Sequence, residues 1–156
     1  MSTVIYRPGT AGDAPSLARM LQALTAAGKR TRPSDLVFAR DHYLTSPDLV
    51  VSTVAVDETD QVIGLQVVSR VTGENPWGTE IGWGMIGTHV HPDAARQGLG
   101  RGLFARTRPA IEASDLPAVD ASIGDTNEVA LAYYGAMGFV TYRTAPGLVC
   151  KALYLR

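Results

Sequence analysis

The chain has 156 residues, 14 basic and 15 acidic side chains and a net charge of −1, enough for a real core within one domain spanning 1–156. The balanced charge excludes a nucleic-acid-binding face, so any anion must be gripped locally, and the one cysteine, Cys150, excludes an intrachain disulfide and has no metal-ligand spacing around it. No signal-peptide core opens the sequence and no apolar run approaches the about 20 residues that span a bilayer, so a cytoplasmic protein with no membrane partner and no metal is expected.

Thr3 to Arg7 reads as a first strand, ended by Pro8-Gly9. Asp13 is a candidate N-cap with Pro15 in the first turn, and Leu17, Met20, Leu21 and Leu24 recur at helical spacing up to Gly28. Lys29-Arg30-Thr31-Arg32-Pro33 is a basic loop, and Ser34 opens a second helical segment through about Leu44. Leu49 to Val56 and Val62 to Val71 form an antiparallel hairpin around the polar turn Asp57 to Gln61. Gly73 to Gly78 is a loop by composition.

Thr79 to His91 reads as one long strand with a conflict of phase. Ile81, Trp83 and Met85 share one face, whereas Ile86 and Val90 share the other. A central strand with both faces buried and a bulge near Gly84 to Gly87 reconciles them. A helix follows from about Gly98 to Ala113, with Pro109 expected to kink or shorten it. Ala118 to Ile123 is a further strand. Asp125-Thr126-Asn127-Glu128 is a capping box opening a helix that ends near Met137-Gly138. Strands at about Phe139 to Thr144 and Leu148 to Tyr154 close the chain. Helices alternating with strands give an α/β or mixed α+β class.

The chemistry-bearing stretch is Val90-His91-Pro92-Asp93-Ala94-Ala95-Arg96-Gln97-Gly98-Leu99-Gly100-Arg101-Gly102-Leu103. A strand feeds a proline turn, then a glycine-rich loop that opens a helix. The unpaired N–H groups of a helix start carry about half a positive charge and suit a phosphate. Glycines at 98, 100 and 102 leave the backbone free to approach a ligand, or serve helix–sheet packing alone. No Gly-Lys-Ser/Thr of a Walker loop is present. A dinucleotide fingerprint would need glycine where Leu103 stands, and Asp120 lies inside its strand rather than at its end.

Val90-x-Pro92 followed by Gln97-Gly98-Leu99-Gly100-x-Gly102-Leu103 resembles the acetyl-CoA-binding motif of the GCN5-related N-acetyltransferases (GNAT). Asn127-x-x-Ala130-x-x-x-Tyr134-x-x-x-Gly138-Phe139 is similar to that family's second motif. One departure is Ala95, where the family usually has Arg or Gln; Arg96 stands beside it. The resemblance implies a mixed, mostly antiparallel sheet of six to seven strands with about four helices, splayed between its fourth and fifth strands. It implies acetyl-CoA as co-substrate, its pantetheine along Thr88, His89 and Val90 and its diphosphate on Arg96, Gln97, Gly98, Leu99, Gly100, Arg101 and Gly102. Asn127 would hydrogen-bond the coenzyme. The last two strands would pack across a homodimer, by analogy with the family.

Acetyl transfer to an amine requires loss of the amine proton, stabilisation of an oxyanion and stabilisation of the departing thiolate. For the last the resemblance points to Tyr134. A thiol has pKa about 8.5 and a phenol about 10, so full transfer from tyrosine is uphill by about 2 kcal/mol. A strong hydrogen bond to the developing thiolate with later proton delivery is the better expectation. An N–H near His89 or Val90 would meet the oxyanion. The candidate bases are His89, Glu80, His91 and a water chain; His89 ranks first as nearest the expected acetyl position. Trp77, Trp83 and the polar face of Asp120 and Ser122 are candidate acceptor contacts. Lys29, Arg30 and Arg32 either attract an acidic acceptor or form a solvated loop. The expected activity is acetyl transfer to a small primary amine by direct attack in a ternary complex. A protein N-terminus or lysine as acceptor, and a non-catalytic acyl-CoA sensor, are the alternatives.

Overall fold

The computed structural model describes residues 3–95 and 97–156. Seven strands make one sheet: β1 (Ile5–Pro8), β2 (Leu49–Val56), β3 (Val62–Arg70), β4 (Gly84–Val90), β5 (Ala118–Gly124), β6 (Val140–Ala145) and β7 (Leu148–Tyr154). Their order is β1-β2-β3-β4-β5-β7-β6, antiparallel everywhere except at β4–β5, which is parallel.

Helix α1 (Ala14–Ala26) lays Leu17, Met20, Leu21 and Leu24 on the sheet. Asp13 does not cap it. Its carboxylate is taken by Arg7 at 2.8 Å and by the Thr10 N–H at 2.9 Å, and a short 3-10 turn over Ala11–Asp13 precedes the helix instead. The second helix, α2, is one turn over Leu36–Phe38 that widens into a π-helix over Ala39–Leu44. Its cap is Asp35, which accepts from the Phe38 N–H, rather than Ser34. Helix α3 (Leu99–Ala113) runs its full length through Pro109 and is not shortened by it. Helix α4 (Glu128–Ala136) is capped by Asn127, whose side chain accepts from the Ala130 N–H at 3.1 Å.

The sheet separates two cores. On one face, α1 and the π-turn pack on Val54, Val56, Leu65 and Val67. On the other, α3 and α4 pack on Val68, Ile86, Val119, Ala121 and Ile123. Strand β3 is buried on both faces, which explains its nearly unbroken apolar run.

Strand β4 departs from expectation. It begins at Gly84, and its register with β3 runs unbroken from Arg70↔Gly84 to Gly64↔Val90. No bulge exists there. The phase conflict dissolves because Ile81 and Trp83 precede the strand, in a turn forced by positive φ at Gly78 (71°) and Gly82 (95°). Asn75 pins that turn by accepting from the N–H groups of Trp77 and Thr79. No helix among the described residues is long and apolar enough to cross a membrane.

Candidate active site

Strands β4 and β5 pair only at Gly84↔Val119 and Met85↔Asp120, and beyond these two pairs they part. The other edge of β4 stays on β3. Trp83 and His91 bracket it, with the Val71 N–H donating to the Trp83 carbonyl and the His91 N–H to that of Ile63. Odd-numbered residues therefore turn their backbone groups to β3. By alternation, Ile86, Thr88 and Val90 turn their N–H and C=O groups to the split. This is an open, hydrogen-bonding edge inside the sheet.

At the end of β4 the chain turns through Pro92–Ala94, held by the Asp93 N–H on His91 Nδ1 at 3.0 Å. Gly98 then takes φ +74° and starts α3. The first helical hydrogen bond runs from the Gly102 N–H to the Gly98 carbonyl. The N–H groups of Leu99, Gly100 and Arg101 have no acceptor among the described residues. Gln97 and Arg101 are exposed, whereas the Leu99 side chain is in the core, so Leu99 offers only its backbone. Arg96 lies outside the described residues.

The three glycines have separate tasks. Gly98 supplies the left-handed turn. A Cβ on Gly100 would stand 2.6 Å from the Tyr133 ring, and one on Gly102 would collide with the Tyr6 ring. Gly102 is thus a helix–strand packing position rather than a point of ligand approach.

On the α3–α4 face of β4 lies a polar chain. Tyr134 Oη and Thr88 Oγ1 are 2.8 Å apart. Gln66 Nε2 donates to Thr88 Oγ1 and to Tyr133 Oη, each at 2.9 Å. The Tyr133 hydroxyl donates to the Gly100 carbonyl at 2.7 Å. Gln66 is fully buried, and its Oε1 finds no donor among the described residues. Burial pushes the Tyr134 hydroxyl well above the ordinary phenol range, with the Thr88 bond opposing that weakly. Tyr134 thus keeps its proton as a donor. Asn127 sits exposed at the start of α4, its Oδ1 committed to its cap.

His89 points to the opposite face. It shares with Arg32, Tyr43, Trp77, Met85, Gly87 and Ser122 the wall of a cavity of about 280 Å³. Burial pushes its pKa down to about 4, helped by Arg30 and Arg32, so the imidazole is neutral at neutral pH. Trp77 lines this cavity. Trp83 does not: it packs against Tyr142 and Tyr154, at ring separations of 5.3 and 5.9 Å, because the turn before β4 carries it off the strand's face. Asp120 is fully buried. It accepts from Ser122 Oγ (2.6 Å), Tyr142 Oη (2.6 Å) and Thr79 Oγ1 (3.2 Å), and only Ser122 of this set reaches the cavity. Glu80 is exposed in the turn before β4, and the His91 ring is occupied by its own turn.

Sequence reasoning missed Gln66, Tyr133 and Tyr43. Gln66 was visible as the lone polar residue in Val62-Ile63-Gly64-Leu65-Gln66-Val67-Val68, a buried-polar signal. Tyr133 and Tyr43 carried no signal of their own.

The sequence model described as "Acetyltransferase (GNAT) family" matches residues 17–139. No curated protein shows a significant sequence match. Among solved structures, a GCN5-related N-acetyltransferase from Kribbella flavida superposes with TM-score 0.79 at 20% identity, covering 97% of this chain and 98% of that one. The yncA protein from Salmonella typhimurium with its cofactor acetyl-CoA gives 0.72 at 17%, covering 98% and 94%. A GNAT family acetyltransferase from Brucella melitensis in complex with acetyl-CoA gives 0.70 at 21%, covering 99% and 89%.

Proposed function

The chain belongs to the GNAT acetyltransferase family, and from that premise we propose that it moves an acetyl group from acetyl-CoA to a primary amine of a small molecule, by direct attack in a ternary complex. The observation that carries this reading is the split after Met85↔Asp120, with the open edge of β4 leading to the unpaired N–H groups at the start of α3. The donor set fits the coenzyme. N–H groups at a helix start suit a diphosphate. A free strand edge suits the amides of a pantetheine arm, as it would an added strand. When bound, acetyl-CoA supplies an activated acetyl carbon and a thiolate leaving group.

The residues divide the remaining work across the sheet. Ile86, Thr88 and Val90 orient the pantetheine through their backbone groups. The unpaired N–H groups of Leu99, Gly100 and Arg101 hold the diphosphate, with the exposed Gln97 and Arg101 side chains beside them. Tyr134 holds a proton at Oη on the α4 side of the split. His89 faces the acceptor. Full transfer from an alkylammonium of pKa about 10.4 to an imidazole at about 4 would cost about 9 kcal/mol. The amine therefore reacts as its free base, having lost its first proton to solvent, and His89 accepts the second proton as the nitrogen lone pair forms the bond to the acetyl carbon, then passes it to solvent. The acceptor cavity, about 280 Å³, falls just below the about 300–1,000 Å³ of small-ligand sites, which favours a small amine over a protein segment.

A thiol-release assay with acetyl-CoA and a library of primary amines tests this. Turnover of small amines supports it. Coenzyme binding without turnover of any amine would favour the sensor reading. A coenzyme complex with the diphosphate away from the start of α3 would overturn it.

A further inference from the structure

The acceptor cavity is electrically polarised. One end is walled by Arg32, with Arg30 next to it in the wall of the neighbouring cavity. Arg30 is buried, at 8% exposure. Its Nε and Nη2 donate to the Pro33 carbonyl, and Nη2 also donates to Tyr43 Oη, while Nη1 has no partner among the described residues. Arg32 Nη1 reaches the same Tyr43 hydroxyl at 3.5 Å. The Arg32 guanidinium lies 5.3 Å from the Phe38 ring centroid and 5.7 Å from that of Trp77. Among the described residues, neither arginine forms an ion pair with a carboxylate. A buried guanidinium without a counter-ion is costly, and a ligand anion would offset that cost.

The other end is anionic. Ser122 lines the cavity and donates to Asp120, a fully buried carboxylate whose hydrogen-bond partners among the described residues are all hydroxyls, with Arg143 as an electrostatic neighbour. Asp120 is also a member of the last residue pair before the strands part. A cationic nitrogen drawn to this end stands at the split. Arg32 and His89 border both this cavity and a neighbouring one of about 320 Å³ that Lys29 and Arg30 line, so the cationic end extends beyond one side chain.

Resting on the acetyltransferase reading, we propose that the acceptor is a small zwitterion, an amino acid whose carboxylate is gripped by Arg32 and Arg30 and whose amine is drawn toward Ser122 and Asp120 at the split. The carboxylate also offsets the two guanidiniums that depress the proton affinity of His89, making the imidazole a better proton acceptor when substrate is in place.

The test compares leucine, leucinamide and 3-methylbutylamine, and the same trio built on phenylalanine, by thiol release with the full chain and acetyl-CoA. Leucine or phenylalanine should exceed both neutral-tailed counterparts by at least 50-fold in kcat/KM. In Arg32→Gln this preference should fall to less than fivefold, through KM of the amino acid, and Arg32→Lys should restore part of it. A neutral counterpart within threefold of the amino acid in the parent enzyme overturns the proposal, as does a preference that survives in Arg32→Gln. If no amine of either kind is turned over, the acetyltransferase reading fails. Calorimetry with N-acetylleucine and N-acetyl-3-methylbutylamine then still decides the anion subsite. Binding of the former alone, lost in Arg32→Gln, supports it; equal binding or none overturns it.

Discussion

Removing either end of the Thr88–Tyr134 hydrogen bond should separate stability from catalysis. Thr88→Val deletes the partner recorded for a fully buried hydroxyl, so Tyr134 Oη is orphaned, while Gln66 Nε2 keeps Tyr133 Oη. An orphaned buried hydroxyl plus the lost bond costs about 2–3 kcal/mol, which lowers the melting temperature by about 5–10 °C in a chain of this size. Tyr134→Phe is the gentler change for the fold, because Thr88 Oγ1 still accepts from Gln66 Nε2 at 2.9 Å. It should cost about 1 kcal/mol, or about 2–4 °C. For turnover the order reverses. Loss of the Tyr134 proton donor should lower kcat by about 10²-fold or more, with the dissociation constant of acetyl-CoA unchanged, whereas Thr88→Val should cost less than tenfold. Calorimetric melting and thiol-release kinetics on both variants give the comparison. If Tyr134→Phe destabilises as much as Thr88→Val and leaves kcat within threefold, the hydroxyl is a packing element and the donor role is wrong.

Gly84→Ala should destabilise by about 1–3 kcal/mol, because its Cβ would meet Leu116 and Val68 at 2.9 Å where β4 joins β5; denaturant titration reads this. Gly98→Ala forces a side chain into φ +74°, at about 1–2 kcal/mol of strain, and should weaken acetyl-CoA binding in calorimetry while leaving KM for the acceptor within twofold. His89 contributes to a pH dependence of stability. Its folded value, about 4, lies below its ordinary 6.5, so the neutral form is favoured on folding. That contribution is intact above pH 6.5 and about 3 kcal/mol is lost as pH falls from there to about 4. His89→Gln should flatten the stability curve in that window, and an unchanged slope would contradict the depressed value.

The hairpin β2–β3, the helix after the glycine loop and the α4 cap were legible because each is encoded locally: valine-rich runs around a polar turn, a loop opening into apolar helical spacing, an Asn cap. The split was legible only through the paired motifs, since local composition carries no sign of where two parallel strands part. The long strand from Thr79 was misread because Ile81 and Trp83 carry strand propensity. Two positive-φ glycines and the Asn75 side chain overrode it. Asp13 was misread for a similar reason: Arg7, six residues earlier, outbid the helix N-terminus for its carboxylate. In the site, Tyr134 and the start of α3 stood out in sequence. The side of the sheet on which His89 points depended on the absence of a bulge, which only the β3–β4 register reveals.

The seam between the four-stranded and three-stranded parts of the sheet consists of two residue pairs. A molecule lying along the free margin of β4 supplies the stitching that the polypeptide omits, and it does so only in the native state. With the coenzyme bound as proposed, mass action would tie folding stability to its supply: at a hundredfold excess over the dissociation constant the gain is about 2.7 kcal/mol. Hydrogen exchange at Ile86, Thr88 and Val90 would register that supply directly, amide by amide, before any product is made.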